Sequence, residues 1–113
     1  MVSKLENEGI AVILGSSRSG VTGSEIAEGL AALGHHTAFS AAGPHISHLL
    51  FADDVLDRLY VTYVTTILAG RSYATLNEGP VLDSPFAMEP RTLYLDPAGA
   101  NGGAQIFASF DQR

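Results

Sequence analysis

Small residues at the end of an apolar strand, followed by a proline that opens a helix, let a backbone approach an anion closely. Residues 41–50 read Ala-Ala-Gly-Pro-His-Ile-Ser-His-Leu-Leu. Ala42 and Gly43 keep the turn narrow, and Pro44 is pre-set for a first helical position. The N–H groups of the next turn, beginning at His45, attract phosphate. A second loop, Gly15-Ser16-Ser17-Arg18-Ser19-Gly20, follows an apolar run. It either cradles the adenosine end of a dinucleotide, with Arg18 reaching a 2′-phosphate, or is a polar strand-to-helix connection with no ligand. It is not a P-loop, because no Gly-Lys-Ser/Thr follows at the required spacing, and it lacks the Rossmann fingerprint. The turn at Ala42-Gly43-Pro44 has the same two readings, a pyrophosphate seat or a tight connection.

Other groups capable of chemistry are sparse. His45 and His48 stand three apart on the same expected helix, and a metal shared with Asp53 would need a further ligand that the spacing does not supply. No metal site is therefore expected. His35 and His36 suit a helix end, where positive charge is favourable. Asp53, Asp54 and Asp57 cluster at a helix-to-strand junction. Paired carboxylates can do acid–base work, but acids on an exposed turn are ordinarily solvated, and no catalytic role is assigned to these. Tyr60 and Tyr63 fall on opposite faces of their strand, which excludes a single stacking platform.

The elements that position these residues follow from composition and pattern. A chain of 113 residues suits one domain, and 46% hydrophobic residues can fill a core. Only 16% of residues are charged, a low figure that favours burial of some surface against another subunit. The net charge of −6, with basic residues scattered singly, argues against nucleic acid. The absence of cysteine removes disulfides and thiolate metal sites. With no membrane-length apolar run and no secretory pattern, a soluble cytoplasmic protein is expected.

Residues 1–9 read as a lead-in. The apolar run 10–14 has the pattern of a strand buried on both faces. A helix follows, capped by Thr22 or Ser24, with Ile26, Leu30 and Leu33 as its stripe and Gly34 as its stop. A second strand spans 36–41 and a second helix runs from Pro44 to Asp53 or Asp54. Residues 59–68, rich in Thr, Val and Tyr, form a third strand. This β-α-β-α-β order implies crossover connections and a parallel sheet over residues 10–70. Residues 71–90, with prolines at 80, 85 and 90, read as a loop. Residues 91–96 and 104–110 alternate around a Gly-rich turn and predict an antiparallel hairpin within 91–113.

From residue 10 onward, this order resembles the later half of the pyrimidine reductase domain of riboflavin biosynthesis, the C-terminal domain of the bifunctional deaminase-reductase, which has a dihydrofolate-reductase-like fold. The residues that carry the resemblance are Ala41-Ala42-Gly43-Pro44, Leu49-Leu50, Asp57-Arg58-Leu59, the run Thr65-Thr66-Ile67-Leu68-Ala69-Gly70, and the closing Gln105 to Phe110. The family has Glu-Gly-Gly-Pro where Ala41 to Pro44 stand, an acid at position 58 and a proline at position 65. The resemblance implies an α/β, three-layer dihydrofolate-reductase-like half-domain with a parallel core and a C-terminal hairpin. It further implies an oxidoreductase using NADPH to reduce the ribose of a phosphoribosylamino-pyrimidine to a ribityl chain. Gly15, Ser16, Ser17, Arg18, Ala42, Gly43, Pro44 and His45 are the expected cofactor contacts; the catalytic residues stay unassigned.

The family's domain is about twice as long, so the resemblance implies a site incomplete in one copy. The alternative is a non-catalytic assembly module that keeps the scaffold. A half-domain leaves a strand edge, expected beside residues 10–14, and unprotected edges pair with another chain. The expected partner is a second copy, through sheet edges or the hairpin, or a chain supplying the missing half.

Overall fold

The computed structural model describes residues 2–17, 20–71, 75–99 and 103–113. Over these described residues the chain is mixed α/β, with three helices and one three-stranded antiparallel sheet.

Helix α1 (Val2–Asn7) occupies the expected lead-in. Helix α2 (Gly23–Ala32) starts at Thr22, whose side chain accepts from the Glu25 N–H while the Glu25 carboxylate accepts from the Thr22 N–H. This reciprocal capping box satisfies two of the donors that every helix start leaves open. Gly34, at φ +85°, takes the left-handed turn that ends α2. Helix α3 (Pro44–Ala52) begins at the glycine–proline step, because proline's fixed φ suits the first turn and its missing N–H costs nothing there. Asp54, at φ +58°, turns the chain out of α3 toward the sheet.

The two helices touch through a glycine. A methyl group at Gly23 would lie 2.3 Å from the Leu49 carbonyl oxygen, so only a residue without a side chain permits this approach. The Ser24 N–H then donates to Asp53 Oδ2 at 2.8 Å, and the C-terminal end of α3 thereby caps the start of α2.

Strands β1 (Arg58–Val64), β2 (Met88–Asp96) and β3 (Gln105–Gln112) lie in the order β1-β3-β2, every pairing antiparallel. Arg58 faces Asp111 across β1 and β3, and Tyr94 faces Phe107 across β2 and β3. The register of β2 shifts between Pro90 and Thr92, where proline has no N–H for the ladder. Asp111 joins the strands by accepting from Arg58 and, at 2.8 Å, from Arg91.

The hairpin expected from 91–96 and 104–110 is present, with longer strands. The parallel β-α-β-α-β core is not: neither 10–14 nor 36–41 enters the sheet, and 59–68 pairs as a strand only to Val64. A continuous apolar run does not state its partner, and here Ile13 packs on Gly29 of α2 instead of on a strand. One edge of β1 is taken by β3, and among the described residues the other carries no strand. The open edges of the sheet thus belong to β1 and β2, not to residues 10–14.

Burial is slight. Among the described residues, Phe51 and Ala108 are the buried hydrophobic ones, while Leu14, Phe39, Ile67 and Leu68 are exposed. The accessible surface is 9143 Å², against about 5,900 Å² for a folded monomer of this mass. The radius of gyration is 17.4 Å, against about 13 Å for a compact domain of this length. Among the described residues, no helix is long and apolar enough to cross a membrane.

Candidate functional site

The expected cofactor residues lie at two helix starts that differ in electrostatics. At α2, the chain fills the anion position with its own carboxylate. Glu25 Oε1 accepts from the Ser16 N–H at 2.6 Å and Oε2 from the Thr22 N–H at 2.9 Å. The Ser16 hydrogen bonds, then those from Thr22, hold the Glu25 pKa down at about 2. Asp53 is lowered too, chiefly by the Ser24 N–H. A cofactor phosphate at Gly15 and Ser16 would have to displace a carboxylate already bonded there. Ser17 bridges to Gly20 across the loop, and Arg18 lies outside the described residues.

The start of α3 is open. Gly43 is the cap residue and makes no side-chain hydrogen bond to the helix, and the first turn holds no acid. A methyl group at Gly43 would meet no atom within 4 Å outside the adjoining chain, and Ala42 and Gly43 are exposed. Pro44 is half-buried, and its carbonyl accepts from the Glu78 N–H at 3.2 Å. The His45 ring meets the Glu78 carbonyl at 3.1 Å through Nδ1. The turn is therefore braced by residue 78 on one side and accessible on the other.

The two loops stand at opposite ends of α3. Gly23 and Ser24 abut Leu49 and Asp53, while Gly43 lies at the other terminus, about 13 Å away at 1.5 Å per residue. They cannot grip one phosphate together; they could only contact separate parts of an extended ligand.

His45 and His48 do not converge. His48 is buried beneath Gly79, where a methyl group would lie 2.2 Å from its ring, whereas His45 is exposed at residue 78. Among the described residues, no group of three or more His, Asp or Glu side chains is placed to hold a metal ion. Two of the junction carboxylates have structural partners, Asp53 capping α2 and Asp54 accepting from Gln112 Nε2 at 2.6 Å, while at Asp57 the backbone carbonyl accepts from the Gln112 N–H. Tyr60 and Tyr63 are both exposed, and the Phe39 ring reaches Tyr60 at 6.5 Å without its backbone joining the strand.

Sequence reasoning missed a cleft of about 500 Å³ between α3, the 80–87 loop and the end of β3, with His48, Phe51, Asp54, Phe86 and Arg113 in its lining. Phe51 and Phe86 meet edge to face at 5.0 Å and form its apolar wall. Its residues come from three separated segments, so no local motif announces it. In comparisons with known proteins, no family model matches the chain, and no curated protein matches it significantly.

Proposed function

We propose that this chain is the cofactor-side part of an NADPH-dependent, riboflavin-type pyrimidine reductase scaffold, incomplete alone. The observation that supports this most is the start of α3, where an uncapped, acid-free first turn follows an open glycine. That geometry suits a pyrophosphate, with the N–H groups after Pro44 as donors. The bound cofactor supplies hydride, and the scaffold's work is to orient nicotinamide against the sugar carbon and exclude water.

The test is titration calorimetry with NADPH on the wild type and on Gly43→Asp. Aspartate is a favourable helix cap, so this variant keeps α3 while placing negative charge where the pyrophosphate belongs. Binding by the wild type and its loss in G43D, with thermal stability held, is the expected pattern. A flat titration of the wild type at millimolar cofactor, or equal binding by both, refutes the proposal.

A second reading, a non-catalytic homo-oligomeric assembly module on the same scaffold, is favoured by the exposed area. The chain presents 9143 Å², and the excess over a compact monomer, about 3,000 Å², is on the scale that permanent interfaces cover.

A further inference from the structure

Resting on the assembly reading, we infer that the chain pairs with a second copy of itself through the open edge of β1, antiparallel across a two-fold axis.

The two edges of the sheet are unequal. Edge strand β2 carries Glu89, Pro90 and Arg91 and a register shift, devices that blunt an edge against pairing. Edge strand β1 carries one charge, Arg58 at its start, which is paired to Asp111; from Leu59 to Gly70 no residue is charged, none is proline, and glycine appears only at the end. Tyr60, Tyr63 and Val64 are each about half exposed or more, at 59%, 49% and 54%. In a chain of net charge −6, this neutral strip is where two copies can meet without bringing like charges together.

The hydrogen bonds of β1 restrict the register. The Thr65 N–H donates to the Ala104 carbonyl, and the Gln112 N–H donates to the Asp57 carbonyl. Odd-numbered residues therefore turn their backbone groups toward β3, and Arg58, Tyr60, Thr62 and Val64 turn theirs to the open edge. Residues directly opposite in an antiparallel pair are either both bonded or both unbonded. Even residues must therefore face even residues. The register centred on Val61 uses all four outward positions, setting Arg58 opposite Val64 and Tyr60 opposite Thr62. Leu59 then meets Tyr63, and Val61 meets its own copy. No like charges are opposed, and aromatic residues lie against aliphatic or β-branched ones. The product is a continuous six-stranded sheet with the blunted β2 strands at its outer edges.

The test is sedimentation velocity at micromolar concentration on the wild type, Thr62→Pro, Val61→Cys and Tyr94→Cys. Thr62→Pro removes an outward N–H and leaves the β1–β3 ladder intact, so far-UV circular dichroism stays unchanged while the dimer is lost. The chain has no native cysteine. Under mild oxidation Val61→Cys forms a covalent dimer, because opposed unbonded pairs have Cα atoms roughly 4.5 Å apart, within disulfide reach. Tyr94→Cys on β2 does not cross-link. A monomeric wild type overturns both this pairing and the assembly reading. A dimer that survives Thr62→Pro and leaves Val61→Cys uncrosslinked, or one that cross-links through Tyr94→Cys, overturns the β1 edge alone.

Discussion

Gly23 is where the relation between α2 and α3 can be tested most directly. In Gly23→Ala the new methyl group would lie 2.3 Å from the Leu49 carbonyl oxygen, 2.8 Å from its carbon and 3.2 Å from Asp53 Cβ. Two of these three atoms are backbone within a helix and cannot rotate away. An ordinary carbon–oxygen contact is about 3.3 Å, so the helices must part by roughly 1 Å. That movement also lengthens the 2.8 Å bond from the Ser24 N–H to Asp53. Overpacking of this kind costs about 2–3 kcal/mol, and the better helix propensity of alanine offsets about 1 kcal/mol. The net loss is about 1–2 kcal/mol, or a fall in Tm of roughly 5–10 °C for a domain of this size. Gly29→Ala is the control, because its methyl group meets only the end of the Ile13 side chain at 3.0 Å, which can give way. Its Tm should hold or rise. Thermal melts followed by circular dichroism decide the matter. If Gly23→Ala is tolerated as well as Gly29→Ala, the helices do not approach through Gly23, and the coupling of the α2 start to the end of α3 falls with it.

Acid should destabilise the protein in a defined window. Glu25 is lowered from 4.5 to about 2 and Asp111 from 3.8 to about 2, by hydrogen bonds from Ser16 and Thr22 and from Arg58 and Arg91 respectively. Groups with depressed folded-state values contribute stability that is present above their unfolded values and lost as pH falls. Tm should therefore be flat from neutrality to about pH 5 and decline from 4.5 toward 2, with a shallower decline in Glu25→Gln. A Tm that rises on acidification in that range contradicts the bonding around Glu25. Phe51→Ala removes the buried ring that meets Phe86, and its cost is about 3 kcal/mol. A urea midpoint equal to that of the wild type would show that the wall of the cleft contributes nothing.

Local chemistry made several features legible before any coordinates. Pro44 marked the start of α3, Thr22 or Ser24 marked the start of α2, of which the structure selects Thr22, and alternation marked β2 and β3. Each is decided by neighbours within a few residues. The role of Glu25 at the Ser16 loop was hidden, because its carboxylate reaches back across nine positions. Asp53 as a cap for α2 was hidden for the same reason, at a separation of 29 positions.

The sequence by itself determined that this is a mixed α/β chain, that one helix follows Thr22 or Ser24, and that another opens at Pro44. Tertiary structure alone decided that the sheet is antiparallel, that residues 10–14 rest on α2, and that β1 offers the unguarded edge. Propensity acts between neighbours in the chain, whereas strand partnership is a choice among distant segments. That choice turns on which backbone groups have already found partners.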